Sequence, residues 1–230
     1  IHEARLQRYC RGFGTEGLVE TRGERSVVDG GFAEDDAALL KPTKGQEFVV
    51  TTDALTAGVH YFADDPPDRI AQKCLRVNLS DIAAMGAEPY CYSLALMLPE
   101  QTTQDWLSEF CNGLRIDQTA YSVHLSGGDT TSTDGPLSIA VTMIGTDPSG
   151  RALRRSSARI GDDLWVTGTI GDAAMGLKAL KGELPSIDAI ARESLVLRYQ
   201  LPQPRNLIGP ALRELATAAI DISDGLAADL

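Results

Sequence analysis

Apolar and polar positions recur along this chain with two periods. Phe48-Val49-Val50-Thr51-Thr52 is β-branched and aromatic, and predicts a strand over residues 47–52 that ends on Asp53. Tyr92, Leu94, Leu96 and Leu98 fall on every second position, as in a strand with one buried face, and Pro99 closes that run. Between them Leu75, Leu79 and Ile82 repeat at helical spacing, predicting a helix over residues 68–85, with Pro66-Pro67 as its start signal and Gly86 as its stop. Trp106, Phe110 and Leu114 mark a second helix, and short strands are expected at 37–40, 122–125 and 137–144. At the start, an amphipathic helix is expected through Cys10, followed by a Gly-rich charged loop from Arg11 to Gly31.

Beyond the basic connector from Arg151 to Gly161 the pattern restarts. Leu164-Trp165-Val166-Thr167 predicts a strand, Gly168-Thr169-Ile170-Gly171 a strand-to-helix loop, and residues 172–180, 187–199 and 207–216 three helices. A strand at 218–222 and a helix from Gly225 complete the reading. Residues 1–150 therefore read as one domain, and 151–230 as the opening part of a second, α/β domain expected to continue further. The class is α+β.

The 230 residues are 43% hydrophobic and 23% charged, an ordinary globular balance. A net charge of -11 repels nucleic-acid phosphates, so no nucleic-acid partner is expected. No apolar run approaches the ~20 residues of a membrane span, and Ile1 to Arg5 lack the apolar core of a secretory signal. The four cysteines form no C-x-x-C pair and read as buried reduced thiols, which suits the cytoplasm.

The acids change the picture, because they gather beside oxygen-bearing neighbours: Asp35-Asp36, Thr51-Thr52-Asp53, Asn78-Leu79-Ser80-Asp81, Gly127-Gly128-Asp129-Thr130-Thr131 and Asp221-Ile222-Ser223-Asp224-Gly225. Carboxylate with hydroxyl or amide oxygen is the ligand chemistry of a hard cation such as Mg²⁺. An aspartate at a strand end is equally a turn former or helix N-cap, and the residues alone leave both readings open. Asp81 resists the second, since it shares a face with Asn78 on an apolar helix and needs compensation there. Gly127-Gly128 permits close approach of a phosphate or simply makes a turn. Arg154-Arg155 is a solvated turn or a phosphate contact. There is no G-x-x-x-x-G-K-[ST], three histidines are too scattered for zinc, and no Ser/His/Asp or Cys/His set stands out. Chemistry done by metals and positioning, as in phosphoryl transfer, fits this inventory.

From Asp35 onward these segments, in this order, resemble the thiamine-monophosphate kinase family, with His60 seven residues after Thr51-Thr52-Asp53 and the run Gly150-Arg151-Ala152-Leu153-Arg154-Arg155-Ser156 completing the set. The resemblance implies an aminoimidazole ribonucleotide synthetase-like N-terminal domain whose sheets pair across a homodimer. It implies direct transfer of the γ-phosphate of ATP to thiamine monophosphate. Asp36, Thr51, Thr52, Asp53, Asp81, Asp129, Asp221 and Asp224 are then expected as ligands of several Mg²⁺ ions. Gly128, Asp129, Arg155 and Ser223 are expected on ATP, and His60 on the substrate. Asp36, Asp53, Asp81 and Asp129 are expected in one acidic cleft. Two departures stand out: Glu34 where the family often has Gly, and Cys111 where it often has an aromatic nucleotide contact. Two alternatives remain: a related ATP-dependent enzyme of the selenophosphate synthetase kind, against which no cysteine sits in a Gly-rich N-terminal loop, and a non-catalytic Mg²⁺ or nucleotide-binding module.

Overall fold

The computed structural model describes residues 40–230. The expected helix through Cys10, the loop from Arg11 to Gly31, Glu34, Asp35, Asp36 and most of the strand expected at 37–40 lie outside the described residues.

The first part of the described chain runs β1 (Gln46–Thr56), α1 (Pro67–Ala84), β2 (Glu88–Pro99), α2 (Gln104–Tyr121), β3 (His124–Thr133) and β4 (Ser138–Pro148). The strands form one four-stranded sheet in the order β1-β4-β2-β3. β4 pairs antiparallel with β1 and β2, whereas β2 and β3 are parallel and joined by α2 as their crossover. Alternation decides which face is covered. Tyr92, Leu94, Leu96 and Leu98 of β2 and Ile139, Val141 and Met143 of β4 pack with Ile70, Leu75, Leu79 and Ile82 of α1 and Phe110 and Leu114 of α2. Each such side chain contributes about 1.5–3 kcal/mol when fully buried.

Local signals set the helix ends. Pro67 opens α1, with Asp68 in the first turn. Thr103 caps α2 by accepting from the Trp106 amide. Asp117 of α2 is fully buried and accepts from Arg76 and Gln72 of α1, which ties the two helices together.

Four strand expectations change. β1 continues to Thr56, so Asp53 lies inside the strand opposite Val141. β3 runs through Gly127-Gly128 to Thr133, because the glycines are held against β2. The segments 164–167 and 218–222 form no strand. Trp165 is 86% exposed and no described strand lies alongside to pair their backbone groups.

After β4 come a 3₁₀ turn (Arg155–Ser157), α3 (Asp172–Leu180), α4 (Ala189–Gln200), α5 (Gly209–Leu212) and α6 (Leu226–Asp229). Gly209-Pro210 begins the helix expected at 207–216 late, leaving one turn. This part folds back onto the first. The Leu153 amide donates to the Met85 carbonyl, Asn206 Nδ2 donates to the Leu79 carbonyl at 3.0 Å, and Arg213 pairs with buried Asp147. A side chain at Gly209 would place its Cβ 2.4 Å from the Ala83 carbonyl oxygen, so only glycine lets α5 seat on α1.

Candidate active site

The pleat of β1 sends Thr51 and Asp53 to the helix-covered face with Leu55, and Thr52 to the other. Thr51 Oγ1 donates to Asp81 Oδ2 at 2.6 Å, whereas Thr52 Oγ1 donates to Thr142 Oγ1 at 3.0 Å. Asp81 projects from α1 one turn beyond buried Asn78, whose Nδ2 donates to the Cys74 carbonyl and whose Oδ1 is buried without a partner.

Asp53, Asp81 and Asp221 stand close enough to perturb one another. Burial, and then the Asp81 charge, raise the Asp53 carboxyl above its ordinary value, partly offset by His60. Asp221, arriving from the segment before α6, is pushed up to about 6, first by burial and then by Asp81, Asp229 and Asp53, with a hydrogen bond to Asp81. No arginine or lysine among the described residues forms an ion pair with these three.

The turn after Asp221 is closed by Asp229, which the sequence reading did not single out. Its Oδ2 accepts from the amides of Ser223, Asp224 and Gly225 at 3.0–3.1 Å. The available signal was an acid placed one turn beyond a Ser-Asp-Gly bend.

The other expected residues are distributed differently. Asp129 is exposed on β3, the sheet edge opposite β1, and its Oδ1 accepts from the Thr130 amide. Gly128 pairs with Leu94, and a Cβ there would lie 2.0 Å from the Leu94 carbonyl oxygen, so its lack of a side chain serves the β2–β3 contact. Arg155 is exposed in the 3₁₀ turn, and Ser223 and Asp224 are exposed on the turn that Asp229 closes. His60 is exposed in the loop after β1, with Nδ1 accepting from the Thr56 amide at 2.9 Å. Cys111 is buried in α2. Thus Thr51, Asp53, Asp81 and Asp221 converge with His60 nearby, while Asp129 lies apart from them.

Among the described residues this is an all-oxygen donor set of three carboxylates, those of Asp53 and Asp221 raised, and one hydroxyl, with no lysine or arginine paired to it, and it fits a hard divalent cation. Among the described residues, no three His, Cys, Asp or Glu side chains are already drawn together as a metal-holding group. No helix among them is long and apolar enough to cross a membrane.

Comparison with known proteins agrees with this architecture. Residues 34–146 match the family described as AIR synthase related protein, N-terminal domain. The crystal structure of thiamine-monophosphate kinase from Stenotrophomonas maltophilia superposes with a TM-score of 0.79 at 42% identity, covering 99% of this chain and 68% of that one. The chain belongs to the thiamine-monophosphate kinase family. The Salmonella typhimurium thiamine-monophosphate kinase is 46% identical over 209 residues, 91% of this chain and 63% of that protein, so the chain spans less than two thirds of this relative's length. A structure of AaThiL complexed with AMPPCP and TMP matches with a TM-score of 0.75 at 30% identity, covering 84% of this chain and 61% of that one.

Proposed function

We propose that this protein phosphorylates thiamine monophosphate to thiamine diphosphate, using ATP and Mg²⁺. The observation that carries the reading is the convergence of Thr51, Asp53, Asp81 and Asp221 with no lysine or arginine among the described residues paired to them. The likeness to AaThiL complexed with AMPPCP and TMP supports the choice of substrates.

In this reading the γ-phosphoryl group passes directly to a phosphate oxygen of the acceptor. One phosphoanhydride breaks, another forms, and ADP leaves. The acceptor oxygen is already anionic, so no strong general base is needed. Bound Mg²⁺ supplies charge neutralisation between the two phosphate groups. Several Mg²⁺ ions are involved in this reading: Asp53, Asp81 and Asp221, with Thr51, would hold one, and Asp36, Thr52, Asp129 and Asp224 would serve others bound along the phosphates. Gly128, Asp129, Arg155 and Ser223 receive the nucleotide, and His60 the acceptor.

The reading divides the chain into an ATP- and Mg²⁺-binding domain at 1–150 and a second domain from 151, supported by the confinement of the described strands to residues 46–148. It makes the protein a homodimer through the sheet. The face carrying Thr52, Ala95, Thr142 and Ile144 has no described helix on it, and Val50 beside it is 60% exposed. It also places the protein in the cytoplasm, which suits the buried, unbridged Cys74, Cys91 and Cys111.

The test is ADP release and thiamine diphosphate formation with thiamine monophosphate as acceptor, with and without Mg²⁺. Aminoimidazole ribonucleotide precursor and selenide serve as controls. Turnover only with thiamine monophosphate and Mg²⁺ is expected; turnover with selenide instead would assign the chain to a different reaction.

A further inference from the structure

His60 is held by its backbone as well as its ring. Its carbonyl accepts from Lys73 Nζ at 2.8 Å and from the Tyr199 hydroxyl at 3.4 Å. Lys73 comes from α1 and Tyr199 from α4, so two distant elements meet on one peptide oxygen. The Lys73 ammonium lies 3.8 Å from the centroid of the Tyr199 ring, a cation–π contact that gains strength out of water. The same ring meets Phe62 at 6.0 Å, on the other side of His60 in sequence.

Beneath this contact, Gln200 Nε2 donates to Asp65, Arg69 Nη1 donates to Gln200 Oε1 at 2.5 Å, and the Phe62 amide donates to Asp65 Oδ2. Lys73, Asp65 and Gln200 are buried. With Tyr61, Arg69 and Ile70 they close together and leave no room for a water molecule.

A buried lysine is expensive to keep, and an apolar residue of similar volume often stabilises a fold equally well. Here the ammonium is directed at the His60 carbonyl and lies over the ring whose hydroxyl donates to the same carbonyl. Together with the Thr56 amide on Nδ1, these contacts fix both ends of His60.

We infer that Lys73 and Tyr199 form a clamp on the His60 carbonyl that sets where the His60 ring meets the phosphorylated acceptor, so that acceptor affinity depends on the docking of α4. The inference rests on His60 being the acceptor contact of the proposed function. Lys73 and Tyr199 are positioning residues and touch no reacting atom.

The experiment uses the full chain with three single variants, Lys73→Met, Tyr199→Phe and His60→Ala, and the two doubles that add His60→Ala. A hydrogen bond contributes about 0.5–1.5 kcal/mol net, so Tyr199→Phe raises the acceptor KM about threefold and Lys73→Met about tenfold. The KM for ATP and kcat change less than about twofold, since neither is set by the His60 ring. In the His60→Ala background both effects vanish, because the clamp has nothing left to position. If His60→Ala leaves the acceptor KM unchanged, the assignment of His60 fails and the clamp falls with it. If His60→Ala raises it but the Lys73 and Tyr199 effects persist at full size in the doubles, or spread equally to ATP, the clamp alone is overturned. Tyr199→Phe removes only a hydroxyl and carries the test even if Lys73→Met does not fold.

Discussion

Thr51 Oγ1 donates to Asp81 Oδ2 across 2.6 Å, joining residues 30 apart in the chain. The bond is short because the acceptor is a carboxylate, and it fixes one oxygen of Asp81 against β1. Thr51→Val keeps the shape and removes the donor. Loss of a part-buried hydrogen bond lowers stability by about 1 kcal/mol, while the Mg²⁺ concentration for half-maximal rate rises about tenfold as Asp81 loses its anchor. Magnesium titration of the initial rate checks this; an unchanged half-saturation point counts against Asp81 as a cation ligand.

Asp129→Asn separates two roles for an exposed carboxylate on an edge strand. As a cation ligand its loss lowers kcat at least ~100-fold, since each 1.36 kcal/mol of lost transition-state stabilisation is tenfold. The melting temperature stays close to wild type, because the side chain is exposed and bonds only the next amide. Near-wild-type kcat would remove Asp129 from the site.

Asp221 adds a pH dependence to the stability of the cation-free protein. Its pKa is about 6 in the folded chain against an ordinary 3.8, so between those values the folded state holds more protons than the unfolded. Its contribution to stability is present below about pH 4 and is lost as pH rises to 6. For a partly exposed group the loss is on the order of 1 kcal/mol. In EDTA, the melting temperature of wild type should fall relative to Asp221→Asn between pH 4.5 and 7, and Mg²⁺ should close the gap. Parallel curves for the two proteins would show that Asp221 is not under strain from its neighbours.

Asp117→Ala tests the helix pair. The substitution leaves Arg76, whose side chain is 15% exposed, and buried Gln72 without their shared acceptor, at a cost of about 3–5 kcal/mol. Urea unfolding of Asp117→Ala beside Asp117→Asn reads it directly, and a loss under about 1 kcal/mol in both would refute the account.

The sheet-and-helix half was readable because its burial is one-sided. Leu94, Leu96 and Leu98 show period two and Leu75, Leu79 and Ile82 a helical period, and both patterns match the faces that pack. The segment at 164–167 has the same apolar content and forms no strand, because composition does not reveal whether a neighbour is present to pair with it. Thr51-Thr52 illustrates a limit of reading motifs as units: adjacent residues in a strand face opposite ways, so the pair divides between two surfaces. Gly127-Gly128 was read as room for a phosphate or as a turn, whereas the atom close to Gly128 is the Leu94 carbonyl oxygen. Asp229 was only weakly legible, because its partners are backbone amides and its one residue-type signal is an acid a turn beyond Ser223-Asp224-Gly225.

Asp53 and Asp81 belong to the sheet-bearing part, and Asp221 reaches them from the segment that folds back across α1. A cation held by all three recognises only the docked chain, so ion binding and docking form one linked equilibrium. At a hundred times its dissociation constant such an ion favours the docked form by about 2.7 kcal/mol. On the proposed function, magnesium would then act as a fastener as well as a charge neutraliser, and protease resistance of residues 151–230 would gauge free ion concentration even when no nucleotide is present.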